Sequence, residues 1–446
     1  MENEAPRRQL TLVQMSAIIV GTVIGSGVFI SLPIVAKLSG SPGMSILIWL
    51  LGGIIWVPQI LILAEMGTAY PVQGGAYVYL QKAGSPFLAF LYVWTAFLTS
   101  DTPTLTIVSL SAVLALKFFS PFFGNPVYAK IIAASFIVCF AIIHARSVRM
   151  GGTIQIFLTI AKLTPLFSIV VFGLFWLNSG NIFFPISHEV AGNRTLAGIL
   201  AAGISSTLWS YAGFLNILYM AGEVKNAERT LPKALIGSLL FVIAGYTLIA
   251  VCTSAIVPYK DLVAAEGQFV NPFQHIDYLS AFAGGLFAVA AFISMLGVLN
   301  ATVMAQPRLE YAIARDGLFF KVFGHLHPRY LTPDYSIFIQ SGLAIILFVL
   351  GDVENMLGYF TLSYALQNMV VYGAIFFLRS REDYRPAYRA PLGLLMAALS
   401  VLIQLGVAVG TFLAYPAGGI LSSLFLIVSG LPIYLYHKRN FVHARV

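Results

Sequence analysis

Long apolar runs recur along the whole of this 446-residue chain, and a run of about 18 residues or more spans a bilayer as an α-helix. Charge is correspondingly scarce. Asp, Glu, Lys and Arg make up 9% of the residues, against about 25% in soluble domains. The alternating segments of about ten residues that a membrane barrel needs are absent. Lipid offers the backbone no hydrogen-bond partners, so helices remain. The expected fold class is an all-α membrane protein. The net charge of +8 fits basic loops facing anionic lipid. No Lys/Arg-rich helix with interleaved aromatics is present, so nucleic acid is not an expected partner.

The runs predict twelve transmembrane helices, at 12–37, 43–68, 86–116, 126–144, 151–177, 195–221, 233–257, 278–313, 335–351, 353–378, 391–414 and 417–437. Arg7 and Arg8 precede the first run as in a signal peptide. No small-residue cleavage site follows, and the run continues to Lys37, so it reads as the first span. Of the 25 Lys and Arg, Lys37, Lys117, Lys130, Arg194 and Lys260 fall on one side and Lys162 falls inside a span. All the others lie on the side of the N-terminus. The positive-inside rule puts that side, and both termini, in the cytoplasm of a cell-membrane protein. The polar connections are too short to fold alone. Cys139 and Cys252 lie far apart inside apolar runs; they read as buried small hydrophobes and make neither a disulfide framework nor a zinc site. No metal or cofactor is expected. His188-Glu189 begins like a zinc-protease motif but lacks the second histidine, and no Walker loop is present.

Two spans carry signs of a break. The first contains Gly21-Thr22-Val23-Ile24-Gly25-Ser26-Gly27-Val28-Phe29. Each glycine costs a helix about 1 kcal/mol against alanine. Close helix packing is one reading. The other is an unwound segment at Gly25-Ser26-Gly27, which exposes N–H groups at one half-helix and carbonyls at the other. That geometry suits a zwitterion, with its carboxylate on the N–H end and its ammonium on the carbonyl end. The sixth span contains Trp209-Ser210-Tyr211-Ala212-Gly213-Phe214, small residues between bulky aromatics. Alone this is a weak signal. Paired with a break five spans earlier, it points to a transporter whose halves are inverted repeats.

Four stretches together resemble the amino acid–polyamine–organocation superfamily, in particular its L-amino-acid transporter branch with bacterial serine/threonine-exchanger-like members. They are residues 21–29; Ala64-Glu65 with the 71–79 stretch; Gly222-Glu223-Val224-Lys225-Asn226 with Arg229 and Leu231-Pro232-Lys233-Ala234; and residues 308–317, where Ile313 departs from the family's pattern. The resemblance implies the LeuT-type fold: repeats at 12–177 and 195–378, with two added helices at 391–437, and helices 1 and 6 unwound at mid-membrane. It implies a substrate site at Val23, Ile24, Gly25, Ser26, Gly27 and Val28, facing Trp209, Ser210, Ala212 and Gly213. The carboxylate would meet N–H groups around Ser26, Gly27 and Val28 and the Ser26 hydroxyl. The ammonium would meet carbonyls of Val23, Trp209 and Ala212. Trp209 takes the place of the family's aromatic gate. Relatives that pair with a glycoprotein subunit use a cysteine between helices 3 and 4. Residues 117–126 hold none, so a disulfide-linked heavy subunit is not expected.

Lys162 lies mid-span within Ile160-Ala161-Lys162-Leu163-Thr164-Pro165. A lysine there costs about 2.5–3.5 kcal/mol to insert, which marks it as functional. The resemblance gives it the place of sodium in sodium-coupled relatives, bridging carbonyls of the unwound helix 1. Asp101, within Thr99-Ser100-Asp101-Thr102-Pro103-Thr104, either faces the pathway or is held by neighbouring hydroxyls in a Pro-distorted helix. Asn216 and Tyr219 share a helical face and either line the pocket or pack an interface. Glu65 is expected to pair with bases of the inside loops, Glu223 with Lys225, and Arg315 with Asp316.

The leading function is sodium-independent transport of neutral L-amino acids by alternating access, most simply as an exchanger. Proton-coupled symport is the alternative. A non-transporting sensor and a membrane-embedded enzyme are remote ones. For the enzyme, Glu65, Asp101, Glu310 and Glu354 form no recognisable catalytic pair.

Overall fold

The structure is a computed structural model and describes residues 6–25, 27–175, 177, 194–265, 270–277, 279–350, 353–414 and 428–438. Those residues are almost wholly helical, and the only strand-like pairing among them is the single bridge between Leu10 and Val224. Seven of the helices are long and apolar enough to cross a membrane. Their outward faces carry large apolar side chains such as Phe157, Phe175 and Phe282, each more than two-thirds exposed. Water would penalise such a surface and lipid does not. The chain is a multi-pass membrane protein.

The first predicted span is two helices, α1 (Leu12–Val23) and α2 (Gly27–Ser39). Thr11 starts α1 as a capping box: its hydroxyl accepts from Gln14 N, and Gln14 Oε1 accepts from Thr11 N. α3 (Pro42–Ile54) and α4 (Trp56–Ala69) run on as one rod from a Ser41 cap. A short helix that the sequence reading did not anticipate, α5 (Ala76–Lys82), precedes the third span.

That third span is α6 (Pro86–Thr95), a π-helical turn Ala96–Asp101, and α7 (Thr102–Ala115). Pro103 explains the wide turn. It has no N–H for the carbonyl of Thr99 and its ring crowds that carbonyl. The hydroxyls of Thr99, Ser100 and Thr104 bond back to carbonyls of Thr95, Ala96 and Ser100.

The next helices are α8 (Pro126–Arg146) and α9 (Val148–Phe175). The sixth span is α10 (Leu196–Leu208), a 3₁₀ turn Trp209–Tyr211, then a 3₁₀ segment Phe214–Glu223. α11 (Ala227–Ile256) starts before the predicted 233, and α12 (Tyr259–Ala264) is a short connector. α13 (Ser280–Ala305) and α14 (Pro307–Arg315) form one long rod, followed by α15 (Asp334–Leu350), α16 (Val353–Leu378) and α17 (Gly393–Ala414). Residues 428–438 are helical; the rest of the last predicted span lies outside the described residues.

α1 packs against α9, α11 and α13, which cage the break between α1 and α2. The glycine run in the first span divides into both of the expected roles. Gly21 sits inside α1 where a Cβ would meet Gln155 Nε2 at 1.8 Å, so it serves close packing. Gly25 lies in the break with its nearest neighbour at 3.7 Å. Cys252 is buried as expected, but Cys139 is exposed on α8, on a face that lipid would cover.

Candidate functional site

α1 ends at Val23, and Ile24 leaves it with extended backbone. α2 begins at Gly27, so the N–H groups of Gly27 and Val28 fall in a first turn, where intrahelical acceptors are missing. Ser26 and the side chain of Trp209 lie outside the described residues. The sixth span breaks at Ala212 and Gly213. Gly213 has φ +117°, and a Cβ there would approach Thr22 Cγ2 to 3.1 Å. Only glycine takes that turn at ease while lying against α1. The two breaks therefore meet.

One residue ties them together. The Tyr246 hydroxyl of α11 lies 3.1 Å from the Val23 carbonyl and 3.0 Å from the Ser210 carbonyl. It has one hydrogen for two acceptors, so one carbonyl retains capacity for another donor at any moment. The Ser210 hydroxyl also contacts that of Ser31, at 3.2 Å. The sequence reading missed Tyr246, because a tyrosine in an apolar run is ordinarily core packing. For the transport that the resemblance implies, Tyr246→Phe is expected to leave expression intact and to slow that transport about tenfold, the effect of about 1–2 kcal/mol of lost hydrogen bonding. An unchanged initial rate in reconstituted vesicles would reject the tie.

Lys162 is buried on α9, and its Nζ donates to the Gly21 carbonyl at 2.6 Å and to that of Ile24. Ser294 Oγ of α13 donates to the same Ile24 carbonyl, at 3.3 Å. A lysine, a serine and two carbonyls thus join three elements at the break. Behind it a polar ladder fixes α9. His144 Nε2 bonds Asn300 Oδ1 at 3.1 Å, Asn300 Nδ2 donates to Gln155 Oε1 at 2.6 Å, and Thr159 Oγ1 donates to the Ala17 carbonyl at 3.0 Å. Because Asn300 presents its carbonyl oxygen to the ring, Nε2 is the protonated nitrogen of His144.

Layers of contacts close the basic end of the bundle below the breaks. Tyr92 and Tyr219 hydroxyls meet at 2.5 Å. Glu223 receives Arg308 Nε at 2.8 Å and Gln73 Nε2 at 2.7 Å. It does not pair with Lys225 as expected; Arg308, 85 residues away, reaches it in the core. The chain's own N-terminal segment crosses beneath. Gln9 N and Leu10 N donate to the Glu223 carbonyl at 2.8 and 2.9 Å, and Lys225 N donates to the Leu10 carbonyl at 2.9 Å. Asp316 likewise accepts from Tyr77 and Gln81, at 2.7 and 2.8 Å, rather than pairing with Arg315. Glu65 does find an inside-loop base: Arg379 holds it in a two-pronged grip, joined by the Tyr384 hydroxyl and Ala390 N.

Asp101 ends the π turn buried, its Oδ1 accepting from Ser100 Oγ and Gln306 Nε2, each at 3.2 Å. Asn216 is half-buried. Asn216 and Tyr219 eclipse each other in a 3₁₀ segment, whose period is three. Glu310, which the sequence places at a span end, is fully buried.

Two interrupted spans lie against each other inside a helical membrane bundle, tied by buried polar groups. The chain belongs to the amino acid permease family, whose pattern matches residues 10–435. It is 29% identical to the serine/threonine exchanger SteT of Bacillus subtilis (strain 168) over 98% of this chain and 99% of that one. It is 28% identical to the mouse (Mus musculus) b(0,+)-type amino acid transporter 1 over 97% of this chain and 89% of the other. The human (Homo sapiens) cystine/glutamate transporter is 29% identical over 86% of this chain and 77% of its own.

Proposed function

We propose that this protein is a sodium-independent exchanger of neutral L-amino acids, working by alternating access in the cell membrane with both termini cytoplasmic. In this reading the chain makes twelve spans, with inverted repeats at 12–177 and 195–378 and two further helices at 391–437. The observation that carries the reading is the Lys162 ammonium, held on the Gly21 and Ile24 carbonyls at the first break. A fixed cation there supplies the charge that would otherwise call for a mobile one. Exchange is supported by the likeness to the serine/threonine exchanger of Bacillus subtilis.

The substrate carboxylate would rest on the N–H groups of Gly27 and Val28 and on Ser26. Its ammonium would meet carbonyls of Val23, Trp209 and Ala212, around Ile24, Gly25, Ser210 and Gly213, with Trp209 as gate. Neither 23–28 nor 209–213 contains a charged side chain, which favours a neutral amino acid. The helix ends themselves answer both of its charges.

The test is uptake of labelled neutral amino acids into proteoliposomes in sodium-free buffer, with and without unlabelled amino acid inside. Uptake that requires internal amino acid is the expected result. Uptake that requires sodium, or none with any amino acid, would overturn the proposal.

A further inference from the structure

The donors that α9 turns toward α1 form a row. Gln155, Thr159 and Lys162 follow one another by four and then three residues, which keeps them on one helix face. The carbonyls they meet on α1, those of Ala17, Gly21 and Ile24, have the same spacing. Gln155 Nε2 lies 3.5 Å and Thr159 Oγ1 3.0 Å from the Ala17 carbonyl. One turn earlier on α1 the direction reverses, and Gln14 Nε2 donates to the Arg149 carbonyl at 3.4 Å.

The row has carbonyls to meet because α1 is ending. Gly25 N turns to the Val23 carbonyl, at 3.0 Å, instead of to that of Gly21 four residues back. The Gly21 carbonyl is left to Lys162. The absent side chain of Gly21 also makes the slot for Gln155, since a Cβ there would lie 1.8 Å from Gln155 Nε2. One residue of α1 thus receives both the glutamine and the lysine.

Which end of Gln155 faces α1 is fixed from both sides. Asn300 Nδ2 of α13 donates to the Gly151 carbonyl at 3.2 Å and to Gln155 Oε1 at 2.6 Å. Asn300 Oδ1 takes the hydrogen of His144 Nε2 at 3.1 Å. The Gly151 and Ala17 carbonyls only accept, so reversing either amide would set oxygen against oxygen at one of them. Gln155, Asn300 and His144 are fully buried, and no bulk water replaces a bond lost there.

We propose that Gln155 is the positioning residue that holds α1 on α9 at the height where Lys162 reaches the break, and that Asn300, held by His144, orients it. Lys162 lies two turns along the same face, so any slip of α1 at Gln155 is a slip of the Gly21 and Ile24 carbonyls at the ammonium. The expected effect on rate rests on the transport reading above; the effect on α1 does not.

The experiment uses the full-length protein. Gln155→Met fills the Gly21 slot and removes the donor. Amide hydrogen exchange over residues 12–24 in detergent is expected to be about tenfold faster than in the unaltered protein, with residues 227–256 unchanged. Counterflow of a labelled neutral amino acid in proteoliposomes is expected to fall about tenfold. Asn300→Leu leaves Gln155 in place but free to turn. It is expected to reproduce both effects, and the double variant to be no worse than either single one. Unchanged exchange over 12–24 in Gln155→Met would make the glutamine a space filler and overturn the proposal. Faster exchange throughout the chain, which marks lost stability alone, would also overturn it, as would a double variant in which the two effects add. No counterflow in the unaltered protein would sink the transport reading, and the exchange measurement would still decide what holds α1.

Discussion

Lys162→Ala is expected to lower the exchange rate about a hundredfold, with the protein still inserted and folded. The argument is local. The ammonium is the donor to the Gly21 and Ile24 carbonyls. Ser294 Oγ reaches only the second of them. A stranded buried acceptor costs about 1–3 kcal/mol, and a loss of about 2.7 kcal/mol from the transport barrier is about a hundredfold. Lys162→Met separates charge from volume: it refills the space without the donor, and is expected to fall as far. The measurement is initial counterflow per reconstituted molecule. A rate within about twofold of the unaltered protein in either variant would mean that the break needs no cation, and the function proposed here would lose its main support.

The second large effect is on stability. Arg308→Met leaves Glu223, 1% exposed, with Gln73 but no counter-charge. Removing one member of a buried ion pair costs about 3–5 kcal/mol, much of it the burden of the remaining charge. Detergent-solubilised Arg308→Met is expected to lose its monodisperse peak at a clearly lower temperature. Adding Glu223→Gln removes the stranded charge and is expected to restore part of the loss. A single variant as stable as the parent would place this pair with surface ion pairs, worth about 1 kcal/mol or less. A double variant no better than the single would show that lost packing and the Met304 carbonyl bond dominate.

What the sequence disclosed depended on whether a feature carried its own chemistry. The break between α1 and α2 was legible because glycine is costly inside a helix, and Lys162 because an ammonium in an apolar run has few places to go. The bounds 86–116 and 278–313 could be read from hydropathy, and helices do run Pro86–Phe118 and Ser280–Arg315. Features that depend on partners were not legible. Nothing near Glu223 announces Arg308, and the nearby Lys225 is the obvious wrong partner. Glu310 looks terminal because the predicted span ends at 313, whereas α14 continues the rod and turns that residue inward. Pro103 signalled a distorted helix, but nothing near Asp101 announces Gln306, the distant partner its Oδ1 accepts from.

The strap of residues 9–10 beneath the sixth span is made of main-chain bonds alone: the amides of Gln9 and Leu10 on the Glu223 carbonyl, and the amide of Lys225 on that of Leu10. Main-chain groups are the same for every residue but proline. Exchange of the half-buried Gln9 or the exposed Lys225 therefore leaves these bonds in place, whereas Leu10 and Glu223 are also held by their buried side chains. Parting that end of the bundle would have to break main-chain bonds as well as the side-chain layers above them.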